Sequence, residues 1–73
     1  MNYKEKADEI RKKYPAGTVI CIEHMEDKRP VNAGTKGTVK RVDDIGTIHC
    51  VFEDGRVLGV VPGIDKFYIL RGE

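Results

Sequence analysis

The chain has 73 residues, of which 40% are hydrophobic and 34% charged, and its formal net charge is +1. That length allows one small domain with a modest core, and that balance of apolar and charged residues excludes a disordered chain. No apolar run approaches the ~20 residues of a membrane span, and MNYKEKADEI lacks the apolar stretch of a signal peptide, so the expected compartment is the cytoplasm.

Residues 2–14 read as a helix. Asn2 and Glu5 have the spacing of a capping box, and Pro15 drives Tyr14 out of the helical region. Tyr3, Ala7, Ile10 and Tyr14 recur at helical spacing and form one apolar stripe. Asp8–Lys12 and Glu9–Lys13 are favourably oriented pairs on the charged side. A helix this short is marginal alone, so the stripe is expected to pack on the rest of the chain, with a partner protein as the alternative target.

Pro15-Ala16-Gly17 makes a turn, and Thr18–His24 follows as a strand with Ile20 and Ile22 on one face. Val19 and Cys21 make the other face apolar too, and the helix is the nearest element to cover it. Met25 to Ala33 is a charged, irregular loop containing Pro30. Binding residues often sit on such loops, although a solvated connection has the same composition.

A second strand runs from about Lys36 to Val42. Val39 and Val42 are out of phase, so a one-residue bulge near Lys40–Arg41 is needed to bring both into the core. Thr47 to Glu53 alternates cleanly, with Ile48, Cys50 and Phe52 inward and His49 and Val51 outward. Asp43-Asp44-Ile45-Gly46 supplies the turn before it. Asp54-Gly55 supplies the turn after it, read as a two-residue type I′ hairpin. Arg56 to Val61 carries Leu58 and Val60 inward, and Gly59 permits close backbone approach. Pro62-Gly63-Ile64-Asp65 turns the chain, Phe67 to Leu70 forms the last strand with Phe67 and Ile69 inward, and Arg71 to Glu73 should fray. Five short strands with tight hairpins fit a mainly β fold: a small five-stranded SH3-like barrel over residues 16–73, with the amphipathic helix of residues 1–15 packed on it.

YPAGT at Tyr14–Thr18, GTKGTVKRVDDIGTIHCVFEDG at Gly34–Gly55 and LGVVPGIDKF at Leu58–Phe67 resemble a family of small bacterial and phage proteins catalogued as a domain of unknown function. The family is frequent in phages and integrated mobile elements of Gram-positive bacteria. The resemblance spans residues 14–70, and its most specific run is VDDIGTIH. Where the family tends to carry valine and tryptophan, this chain has Cys50 and Phe52, a conservative change in the core. Gly34–Asp54 is also similar to the glycine-punctuated barrel module of ribosomal and transcription-elongation proteins. Neither resemblance implies an activity.

Catalytic and metal constellations are weak. Cys21, His24, His49 and Cys50 lack a Cys-x-x-Cys pair, and neighbours on a strand point to opposite faces, so no zinc site or other cofactor is expected. A Cys21–Cys50 disulfide is opposed by the same parity and by a reducing compartment. No cysteine has a histidine of matching parity with an orienting third group, and Asp43 and Asp44 are turn formers. The glycines lack a phosphate-loop ending. The chain is therefore expected not to be an enzyme.

Binding remains. With no tryptophan and only Tyr68 outward among its aromatics, the chain lacks the surface for proline-rich peptides. The residues free for a partner are Lys36, Lys40, Arg41, His49 and Arg56 on the barrel, Lys28 and Arg29 in the loop, and Tyr68. A dedicated nucleic-acid binder shows a basic excess, whereas residues 16–73 carry eight basic side chains against nine acidic ones. The expectation is a non-catalytic module that binds an unidentified protein of a phage or mobile-element system. The alternative is weak RNA or DNA binding through the same basic face.

Overall fold

Why the chain forms one sheet is visible in its register. The computed structural model describes residues 3–72, with elements α1 (Tyr3–Lys13), β1 (Val19–His24), β2 (Lys36–Val42), β3 (Ile48–Phe52), β4 (Val57–Val60) and β5 (Lys66–Arg71). The Asn2 cap and the side chain of Tyr3 lie outside the described residues. All strands pair antiparallel in one sheet of order β4-β3-β2-β1-β5.

Three cross-strand rows make the core. Ile20 pairs with Gly37 and Gly37 with Phe52; Val39 pairs with Cys50 and Cys50 with Leu58; Val42 pairs with Ile48 and Ile48 with Val60. Directly paired residues share a face, so these rows stack into one apolar layer. Ile20, Ile48, Cys50 and Val60 are fully buried in it. Gly37 is required because the Phe52 ring lies over it: a Cβ there would meet Phe52 Cε1 at 2.6 Å. The bulge expected in β2 is present. Val39 pairs with Cys50 and Arg41 with His49, which leaves Lys40 unmatched and returns Val42 to the core side.

Both hairpin turns have the same construction, and it is not type I′. Gly46 N–H donates to Asp43 O and Asp43 N–H to Thr47 O; Gly55 N–H donates to Phe52 O and Phe52 N–H to Arg56 O. Asp54 does not have positive φ, whereas Gly46 and Gly55 have φ of 87° and 89°. Each is a type I turn closed by one left-handed glycine. This asks positive φ of the glycine alone, where type I′ would also ask it of Asp54.

The sheet does not close into a barrel. β4 and β5 are opposite edges and do not pair. β4 is only four residues long, and Pro62 beyond it has no N–H to offer a ladder. Ile69, expected inward, pairs with Ile20 on the core side but is 40% exposed, because the sheet ends at β5 and, among the described residues, no strand lies beyond it. Arg71, expected to fray, is held in β5 opposite Val19.

The helix packs against the end of this layer. Ala7 is fully buried, Tyr14 is buried and Ile10 packs on the core cluster. Arg11 Nε donates to Val42 O at 3.1 Å, and its other nitrogens reach Asp8 at 2.8 Å and Asp44 at 3.0 Å. Asp8, expected to pair with Lys12, thus bonds Arg11. The Tyr14 ring stacks at a tilt on Phe67, centroids 5.5 Å apart. The helix contacts β2 and joins the same core as Ile20 and Ile22, so it does not cover the Val19–Cys21 face. Nor is the loop between β1 and β2 merely solvated. Met25 and Val31 are buried in the core, and buried Asp65 accepts from Glu26 N at 2.7 Å and from Val61 N at 2.8 Å. Among the described residues, no helix is long and apolar enough to cross a membrane.

Candidate interaction surface

The side of the sheet away from the core holds the chemistry that the sequence singles out. In β2, residues 36, 38 and 40 alternate with the core positions Gly37 and Val39, and Lys36 and Lys40 are exposed. The bulge then places exposed Arg41 on this same side, opposite His49. Tyr68 joins them one row away: it pairs with Cys21, and Cys21 pairs with Lys36.

Register adds residues that parity alone did not assemble. Val57 pairs with Val51, Val51 with Thr38, Thr38 with Val19, and Val19 with Arg71. The result is a row of β-branched side chains across four strands, ending in an exposed cation on the fifth. Val57 is exposed and Val51, Thr38 and Val19 are half-buried, so the row is open along its length. Thr38 and Val51 floor a shallow groove bounded by Lys36, Lys40 and Glu53. The signal was present in the sequence as β-branched residues at outward positions of Thr18–His24 and Thr47–Glu53; pairing was needed to join them.

Three expected site residues fall elsewhere. Lys28 and Arg29 are exposed in the loop after β1. Arg56 turns towards that loop, and its guanidinium donates to the carbonyls of Arg29 and Pro30. These three therefore form a group separate from the β2 face, with Arg56 occupied as a tether.

Electrostatics on the face are mixed. His49 is half-buried, not fully exposed, and its Nε2–H donates to Asp43 Oδ2 at 2.9 Å. That bond holds the Asp43 carboxyl below its ordinary value, with burial opposing and the N–H groups of Thr47 and Ile45 assisting. Glu53 Oε1 accepts from Lys36 N at 3.1 Å. Contact with the Cys21 sulfur raises the Tyr68 phenol, and the Glu23 carboxylate adds a smaller push in the same direction.

The four candidate metal ligands are not brought together. Cys50 lies in the core, His49 bonds Asp43, His24 bonds Glu26 and Cys21 sits beside Tyr68. Among the described residues, no group of three or more His, Cys, Asp or Glu side chains is placed to hold an ion. Burial pushes the Cys50 thiol up to about 12, so at neutral pH it is a protonated core side chain and not a nucleophile. Both cysteines are free thiols.

No curated protein and no solved structure shows significant similarity to the chain. A family model described as a domain of unknown function, DUF4314, matches residues 3–70. That match takes in the helix, β1 to β4, β5 up to Leu70 and the open face apart from Arg71, and the chain belongs to this family.

Proposed function

We propose that this protein is a small non-catalytic interaction module that binds a protein partner through the open face of its sheet. The observation that carries this reading is the row Val57–Val51–Thr38–Val19, aligned by register, left uncovered by the helix and bordered by Lys36, Lys40, Arg41 and Arg71. An apolar centre with a charged rim is the general anatomy of a protein interface. The resemblance to phage and mobile-element proteins supports a partner from such a system, and we propose the bacterial cytoplasm as the place where they meet.

The second reading is RNA or DNA binding. It draws on the bulge, which gathers Lys36, Lys40 and Arg41 on one side, with Tyr68 nearby for stacking. Glu23 and Glu53 weaken it by interrupting the positive surface, and the valines between the cations offer bases no stacking plane.

Affinity capture from an extract of the source organism, with the natural chain and its Val51→Glu variant, tests the first reading. A protein partner recovered by the natural chain, lost with Val51→Glu and kept after nuclease treatment is the expected result. Titration with single-stranded and duplex nucleic acid tests the second. Micromolar affinity with a steep salt slope, abolished by joint alanine substitution of Lys36, Lys40 and Arg41, would replace the protein reading.

A further inference from the structure

The sheet ends in two unlike edges. β4 is four residues long and contains Gly59, a short and blunted edge. β5 has six residues and pairs with β1 alone, so its far side presents backbone groups to no other strand of the sheet. Tyr68, Ile69 and Leu70, consecutive on that edge, are 47%, 40% and 43% exposed. They are not all on one face. Tyr68 pairs with Cys21 on the open side and Ile69 with Ile20 on the core side. A neighbour packed on either face would cover only one of the two, whereas a strand added alongside would cover both.

We propose that β5 is an acceptor edge, taking up an extended segment of a partner protein as a sixth strand, and that this segment has an apolar centre and acidic ends. The inference rests on the protein-binding reading and names the partner's chemistry. The charges at the ends of β5 select it. Lys66 and Arg71 bracket the apolar residues, and both are exposed. A second copy of the chain is opposed by the same pair. Antiparallel self-pairing in register would set Lys66 against Arg71 at both ends, and parallel pairing would set like residue against like. Like charges directly opposite destabilise a sheet, and an acidic segment turns both ends into attraction. Asp65, next to Lys66, keeps its charge but is buried with both oxygens held by Glu26 N and Val61 N, so neither oxygen is offered to Lys66 or to an incoming strand.

The test is a nuclear magnetic resonance titration of the full chain with a capped synthetic peptide. The peptide has an alternating valine–threonine centre and paired aspartates at each end, and a version with paired lysines is the control. The aspartate peptide is expected to shift the amides of Lys66 to Arg71 and slow their exchange with solvent. Its affinity should fall about tenfold in the Lys66→Glu/Arg71→Glu variant, which should instead gain affinity for the lysine peptide. Both sites are exposed, so circular dichroism of the variant should be unchanged. Absence of binding at ~1 mM overturns the proposal. So do shifts confined to Lys36, Thr38 and Val51, or β5 shifts that follow protein concentration alone and so reveal self-pairing. A silent β5 edge with a partner still lost in Val51→Glu retires this inference and leaves the broader reading standing; a partner unaffected by Val51→Glu, with β5 shifts as expected, does the reverse.

Discussion

Asp43 and His49 face each other across the turn from β2 to β3, with the Nε2–H of His49 donating to Asp43 Oδ2 at 2.9 Å. The other oxygen of Asp43 accepts from Thr47 N at 2.9 Å and Ile45 N at 3.1 Å. One carboxylate thus closes the turn on itself and fixes a side chain on the open face. Asp43→Ala removes all three bonds and should cost about 1–2 kcal/mol, read as a drop of ~4–8 °C in melting temperature per kcal/mol.

The same contact gives a pH dependence of definite sign. The folded carboxyl sits below its unfolded value, so its contribution is complete above about pH 4 and is lost as pH falls through the lowered folded value. Melting temperatures measured from about pH 5 to about pH 3 should therefore fall less steeply in Asp43→Asn than in the natural chain. Parallel curves for the two proteins would show that the His49 contact contributes nothing in solution.

Helix docking has a point contact that can be attacked from either side. Ile10 packs on the core cluster, and its Cδ1 lies 2.9 Å from where a Cβ on Gly46 would stand. Ile10→Asp places a charge in that contact and should lower the melting temperature by about 4–8 °C for each kcal/mol lost. Gly46→Ala should also destabilise, since it combines the clash with a φ of 87° that L side chains rarely adopt. An unchanged melting temperature for Ile10→Asp would mean that the helix does not dock in solution.

Gly37→Ala tests the core layer. The added Cβ would meet Phe52 Cε1 at 2.6 Å and Cδ1 at 2.7 Å, and Phe52 is itself buried with little room to move. The expected cost is about 1–3 kcal/mol by chemical denaturation. Phe52→Leu in the same chain should recover part of it, so the two substitutions together should cost less than their sum.

Asp65→Ala tests the anchoring of the loop after β1. It strips the acceptor from Glu26 N and Val61 N, for an expected cost of about 2 kcal/mol or more. Faster hydrogen exchange at the Glu26 amide should accompany the loss. Asp65→Asn keeps one acceptor oxygen and should lie between the two.

What was legible in the sequence follows from what a local pattern can encode. Alternation over Ile48, Cys50 and Phe52 placed β3 correctly, and the broken phase between Val39 and Val42 located the bulge, because strand parity is a property of the chain itself. Coverage is not. Ile69 has the parity of a core residue, but whether anything lies beyond β5 depends on which strands pair, and that is decided elsewhere. Met25 and Val31 sit in a charged segment with no periodicity, so nothing local marked them as core. The Arg11–Asp44 and Arg56–Arg29 contacts join residues distant in the chain and leave no trace in either neighbourhood. In the sequence the candidate face is a set of separate outward residues; the valine row across it appears only once register is known.

The bulge in β2 has a consequence for charge density. In an unbroken strand, adjacent residues look in opposite directions, so two neighbouring cations are divided between the two sides of a sheet. Leaving Lys40 unmatched lifts that constraint at one position, and Lys40 and Arg41 emerge side by side on the solvent side while Val42 returns to the interior. The bulge that keeps the core's phase therefore also doubles the positive charge presented at one spot. Deleting Lys40 would restore plain alternation, with Val39 and Val42 still inward and Arg41 alone outward, so the shorter strand would keep its core and lose half of that local charge.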